Sequence, residues 1–184
     1  ADEKALSPSS FAIKKRLPWL FINLLTAFLA ASVVGAFEDI IAKHVALAVL
    51  LPIVAGQSGN AGAQALAVTM RGLAIREISL KHWVKVVFKE MSVGIVSGLV
   101  IAIACGLAVY FWSKSIGLAF VLFISMIFSV AIACICGALI PISLKRLGQD
   151  PAQSSSIILT TFTDVAGFWS FLGIATLLSK FLSP

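Results

Sequence analysis

Asp164 is the only charged residue between Pro151 and Ser179, in the stretch PAQSSSIILTTFTDVAGFWSFLGIATLLS. A lone carboxylate near the middle of a membrane helix costs roughly 2.5–3.5 kcal/mol on insertion scales, so it is retained where a partner, an ion or water receives it. On a helix, Ser156, Thr160, Thr163, Asp164 and Gly167 recur at spacings of three and four. They form one small, polar stripe turned away from Phe162, Phe168 and Leu172. Hydroxyls flanking one acid are oxygen donors suited to a cation and its water, and such a stripe can line a pore. The other reading of Asp164 is a packing residue, protonated or hydrogen-bonded between helices.

A second polar group lies in the run Gly56-Gln57-Ser58-Gly59-Asn60-Ala61-Gly62-Ala63-Gln64, flanked by apolar sequence on both sides. Glycines weaken a helix, and carboxamides at membrane depth find no partner in lipid. Irregular or polar backbone survives there when it is buried in protein or lines a watery cavity, so this segment is expected to interrupt its span. Asn60 and Gln64, four apart, share a face on which their carboxamides can bond another helix or the water shell of an ion. No Gly-Lys-Ser/Thr follows and no strand precedes, which excludes a nucleotide loop. A close helix crossing over the glycines is compatible with the same residues.

The elements that must position these groups follow from hydropathy. The chain is 60% hydrophobic and 12% charged, with a mean hydropathy of +1.05, outside the range of soluble domains. Five segments, Leu17–Phe37, Val45–Met70, Met91–Ser113, Ser115–Leu144 and Pro151–Ser179, exceed the roughly 20 residues that cross about 30 Å of hydrocarbon as a helix. The fold class is therefore all-α integral membrane, with five transmembrane helices and the second interrupted by a Gly-rich break. The net charge of +6 does not indicate nucleic acid, because the cations cluster before the first span, between the second and third, and after the fourth. That bias places the N-terminus in the cytoplasm and the C-terminus outside, in a multi-pass protein of the plasma (inner) membrane.

Residues 1–16 are polar and are expected to form a cytoplasmic connector, or a short surface helix, leading into a membrane domain at 17–184. In Arg76–Glu90, Leu80, Trp83, Val84 and Val87 share one face and Arg76, Lys81, Lys85 and Lys89 stay polar, the pattern of a cytoplasmic amphipathic helix. Gly94, Gly98, Ala102 and Gly106 recur every four residues, as do Ser125, Ser129, Ala133 and Gly137. Such ladders let helices pack backbone to backbone, either on each other or on a neighbouring span. Pro141 is expected to kink or end the fourth span. Cys134 and Cys136 lie about 200° apart around a helix and do not converge on a metal. No nucleophile, base and orienting group occur together, so the chain does not read as an enzyme.

Two stretches, PIVAGQSGNAGAQALAVTMRGLA from Pro52 to Ala74 and PISLKRLGQDPAQSSSIILTTFTDVAG from Pro141 to Gly167, resemble the membrane domain of the MgtE magnesium transporter family. The resemblance extends over essentially the whole chain. It implies a homodimer with a cation pathway near the two-fold axis, lined by the second and fifth spans. It places the family's pore acid on Asp164, its signature asparagine on Asn60 and a lining glycine on Gly56. Family members carry an acidic N-terminal domain and paired CBS domains that bind magnesium, so this sequence is expected to be a piece that lacks a cytoplasmic regulatory domain, or a short member. The implied cargo is Mg2+, with other divalent cations as further candidates, and the implied activity is a channel for the hydrated or partly hydrated ion. Gln64, Thr160 and Thr163 would then orient its water shell. Two alternatives remain open at this point, a proton- or sodium-coupled secondary transporter with a moving half-helix, and a non-transporting membrane scaffold.

Overall fold

The structure is a computed structural model that describes residues 6–149 and 151–182, with side chains in the stretch 151–154 left aside. The first five residues of the expected connector, and Asp150 in the turn before the last span, lie outside the described residues. Helices α1 (Ser9–Gly35), α2 (Glu38–Lys43), α3 (Ala46–Ala74), α4 (Trp83–Ser113), α5 (Ile116–Arg146), α6 (Pro151–Leu177) and α7 (Ser179–Leu182) follow in order, with a 3-10 turn at Leu80–His82. Five of these, α1, α3, α4 with the turn before it, α5 and α6, are long and apolar enough to cross a membrane. The all-helical class and the five spans agree with the hydropathy reading.

Helix α5 is the central post. Leu122, Met126, Val130 and Ala138 on it are at most 2% exposed, and it packs against α4, α3 and α6. Leu47, Leu50 and Val54 of α3 and Phe171, Leu172 and Ala175 of α6 complete the core. Helix α1 stands at the periphery, where α6 is its main neighbour. Residues 9–16 form its first turns: the helix begins at Ser9 and runs without a break through Pro18 into the first span. Glu38 and Asp39 occupy the first turn of α2 and Lys43 its last, each at the helix end its charge favours.

Three expectations are corrected. The second span is not interrupted: α3 is one helix from Ala46 to Ala74, through Pro52 and the whole Gly56–Gln64 run. Each interior glycine costs about 1 kcal/mol relative to alanine. Opening the backbone in hydrocarbon costs several kcal/mol per unsatisfied group, so the helix wins. The amphipathic stretch is not a separate helix. After a link in which the Ile78 N–H returns to the Gly72 carbonyl (3.2 Å), its second half forms the first turns of α4. Pro141 ends nothing, since α5 continues past it to Arg146.

The ladders pack as close approaches demand, but not on each other. A Cβ on Gly94 would lie 2.9 Å from Ala131 Cα, and one on Gly98 3.2 Å from Ile127 Cα, so the α4 ladder seats on α5. The α5 ladder faces the other way. A Cβ on Gly137 would lie 2.8 Å from Ala65 Cβ of α3, and Ser129 Oγ meets Ser170 Oγ of α6 at 2.9 Å. Between α4 and α5, Lys114 turns the chain in the left-handed region (φ 57°), and the Ser115 hydroxyl caps α5 by accepting from the Leu118 N–H at 3.2 Å. One end of the bundle carries Arg71, Arg76, Lys81, Lys85, Lys89, Lys145 and Arg146 and is called the basic end below. There Lys145 Nζ donates to the Leu73 carbonyl at the end of α3 (3.2 Å). Arg146 donates to the Leu80 carbonyl (3.0 Å) and lies 5.5 Å from the centre of the Trp83 ring.

Candidate functional site

Helix α3 has two unlike faces. Val54, Ser58, Gly62 and Ala65, at helical spacing, are buried against α5 and α6, and Thr69 is buried further along the same face. Gly56, Asn60, Ala63, Gln64 and Ala67 are exposed on the other side, with Gly59 half-buried among them. The buried face uses its small residues for close approach: a Cβ on Gly62 would lie 3.1 Å from the Ala133 carbonyl, 3.2 Å from Leu159 Cδ1 and 3.3 Å from Thr163 Cγ2. On the open face no such reason exists within the protomer. A Cβ on Gly56 or Gly59 would meet nothing within 4 Å.

The polar stripe of α6 divides on folding. Thr163 is 1% exposed, lies against Gly62, and donates its hydroxyl to the Thr160 carbonyl at 3.0 Å. Gly167 is buried toward Ser58 and Val54 of α3. Ser156 and Thr160 are exposed, and the Thr160 hydroxyl donates to the Ser156 carbonyl at 2.9 Å. Asp164, next to Thr163 in sequence, is half-buried. Thr163 and Gly167 thus hold α6 on α3, while Ser156, Thr160 and Asp164 stay accessible.

Asp164, Asn60 and Gln64 make no hydrogen bond or ion pair with any of the described residues. Within one protomer they are also not gathered into a single cluster. Asn60 points away from the side of α3 that carries Ser58 and Gly62, whereas it is Thr163 and Gly167, the neighbours of Asp164 on α6, that meet that side. The result is an uncovered surface at membrane depth with a carboxyl and two carboxamides that lack protein partners. Groups of this kind require water, an ion or another chain. Among the described residues no three His, Cys, Asp or Glu side chains come together to hold a metal.

Two contributors escaped the sequence reading. Gly59 and Ala63 belong to the open face of α3, and the spacing of three and four from Gly56 and Asn60 was the available signal. The Ser129–Ser170 hydroxyl pair ties α6 to α5; the ladder marked Ser129 as a packing residue, but nothing in the sequence named Ser170 as its partner on another span.

Fold and site together define a multi-pass helical membrane protein with an unpaired acid on a polar, accessible helix face. The family model for MgtE, a divalent cation transporter, matches residues 51–174, and the chain belongs to that family. The chain is similar to the magnesium transporter MgtE of Bacillus subtilis, at 36% identity over 165 residues that cover 90% of this chain and 37% of that protein. It is similar to the magnesium transporter MgtE of Thermus thermophilus, at 36% over 163 residues, 89% of this chain and 36% of that protein. Against the magnesium transporter MgtE of Enterococcus faecalis the identity is 31% over 170 residues, 92% of this chain and 38% of that protein. The chain therefore spans somewhat over a third of the length of these relatives. The family is one of transporters, not enzymes.

Proposed function

We propose that this chain is the conducting domain of a magnesium channel, in which two copies face each other across the open sides of α3 and α6 and pass Mg2+ between them. One observation carries the reading: Asp164, Asn60 and Gln64 are accessible and unpartnered, and Gly56 and Gly59 leave the α3 backbone bare for an approach that nothing in the protomer makes. A second copy would place two Asp164 carboxylates about one pathway.

Magnesium takes octahedral oxygen coordination and gives up its water reluctantly. A pathway with one acid per copy and no cage of ligands fits an ion that keeps its water shell. At about 5 Å, one carboxylate attracts a divalent ion by roughly 7 kcal/mol at an effective dielectric near 20, before desolvation, and a monovalent ion by half that. Asp164 is then the pore acid. Asn60, Gln64 and Thr160 orient bound water, Gly56 leaves the α3 backbone open beside them, and Thr163 supports the acid from behind. Manganese, cobalt and calcium are candidate competitors for the same water-mediated site. The cytoplasmic side is the basic end, in a plasma membrane, with regulatory domains of a longer chain attached there. The continuity of α3 supports the channel over the coupled-transporter alternative, for which the second span was the moving half-helix.

The test is Mg2+ flux into liposomes carrying the purified chain, with Asp164→Ala and Asp164→Asn compared by cross-linking for assembly. The expected result is loss of flux in both variants with assembly retained. Flux at the wild-type level in either variant overturns the pore assignment.

A further inference from the structure

At the basic end, away from the open faces of α3 and α6, a cavity of about 400 Å³ lies between the last turns of α3, the link after it and the first turns of α4. Its volume falls within the roughly 300–1,000 Å³ of small-molecule sites. Glu77 from the link and Lys85, Lys89 and Glu90 from α4 border it. Lys85 and Lys89, and likewise Val86 and Glu90, are four apart, so α4 turns two adjacent rows toward the end of α3.

Glu90 is 3% exposed, and its carboxylate is held by Lys89 next to it. Glu77 and Lys85 make no ion pair or hydrogen bond among the described residues, although they border the same cavity. Thr69, 1% exposed on α3, also borders it, and its hydroxyl lacks a hydrogen-bond partner. A buried polar group without a partner is destabilising, and a ligand oxygen or a water carried in with it would relieve that cost. The His82 ring is already engaged by Ser79.

The remaining walls, from Val68, Ile78 and Val86, are apolar. The occupant thus needs one anionic and one cationic group on an apolar body. A phospholipid with an amine in its headgroup has all three. Its phosphate suits Lys85 and the Thr69 hydroxyl, its ammonium suits Glu77, and an acyl chain covers the apolar wall. A headgroup without an amine leaves Glu77 unmatched, and a quaternary ammonium has no N–H to give a carboxylate. Basic side chains between membrane helices are recurrent headgroup sites.

We propose that the cavity between the end of α3 and the start of α4 binds one amine-bearing phospholipid from the leaflet at the basic end. The site stands apart from the pore reading and is tested without measuring transport. The purified chain is reconstituted in vesicles of equal ethanolamine, choline and glycerol phospholipids with matched acyl chains, then extracted and weighed by native mass spectrometry. One ethanolamine phospholipid per chain is expected to remain, favoured about tenfold or more over the other two, and to be lost to a similar extent in Lys85→Ala and in Glu77→Gln. Both residues are exposed, so the variants keep the bundle core, which circular dichroism checks. Equal retention of the three lipids, or wild-type retention in both variants, overturns the proposal. Displacement of the lipid by soluble phosphoethanolamine at equal concentration also overturns it, because it shows that the apolar wall holds nothing.

Discussion

Replacing Gly137 by alanine puts a methyl group between α5 and α3 where the backbones already touch. The new carbon would lie 2.8 Å from Ala65 Cβ and 3.0 Å from the Leu66 nitrogen, with the Gly62 carbonyl oxygen nearer still. Non-bonded carbons rest at about 3.5–4.0 Å, so the two helices must part by roughly 0.7 Å or more. Overpacking of this kind costs about 1–3 kcal/mol, and the upper part of the range applies because backbone cannot rotate aside as a side chain does. Alanine returns up to about 1 kcal/mol of helix propensity, which leaves a net loss near 1–2 kcal/mol. Gly106→Ala is the internal control: its Cβ would lie 3.6 Å from the Ala119 carbonyl and 3.7 Å from Phe123 Cβ, ordinary contact, so only the propensity gain remains. Thermal unfolding of the purified chain in one detergent, followed by circular dichroism, compares the three proteins. The expected order of melting temperature is Gly137→Ala below wild type, with Gly106→Ala at or above it. A Gly137→Ala protein as stable as wild type would refute the packing argument, and with it the claim that small residues on α5 set the position of α3.

Gly59→Val adds a side chain to the open face, where nothing in the protomer meets its Cβ, so its melting temperature is expected to equal or slightly exceed wild type, valine being about a few tenths of a kcal/mol better than glycine in a helix, while Mg2+ flux falls; unchanged flux would remove α3 from the pathway. Lys145→Ala removes the bond to the Leu73 carbonyl, and amide exchange over residues 72–75 is expected to speed up by a few-fold, since an end-capping cation contributes about 0.3–1 kcal/mol; exchange at the wild-type rate would count against the cap. Ser170→Ala deletes one half of the hydroxyl pair between α5 and α6 and is expected to cost about 0.6 kcal/mol, and not above about 2, by equilibrium unfolding in detergent. A loss well beyond that would mean the pair carries more of the bundle than one bond allows.

The five spans were legible because membrane helices need only length and apolar composition, and the chain supplies both between its charged clusters. The Gly56–Gln64 run misled. Its residue types belong to loops in water, where a broken helix can bond solvent, but lipid offers no such alternative and α3 stays whole. Arg76–Glu90 misled for a related reason: an amphipathic period marks a helix that meets an interface, not where that helix ends, and α4 carries the pattern straight into its span. The α6 stripe was visible as a period, yet sequence could not say which members turn to α3. Thr163 and Gly167 do so because Gly62 and Ser58 leave room for them, and that room is a property of the crossing. Asn60 and Gln64 were placed on a common face by spacing alone, and the structure puts them there, open and unpartnered.

The pairing of α1 with α6 sets an order of manufacture. Of the five spans, α1 is made before α3, α4 and α5 but finds its main neighbour in α6, and the edge-on contact of Phe37 with Trp169, 5.4 Å between ring centres, closes the same join. Helices α3, α4 and α5 have neighbours in one another as soon as they enter the bilayer. Helix α1 is stable there alone, as a single apolar span is, but it must drift beside the growing bundle until α6 arrives. A chain stalled after α5 therefore carries α3, α4 and α5 packed together around a core still open on one side, with α1 unmoored, and insertion of the segment bearing Asp164 closes the core and gathers the domain.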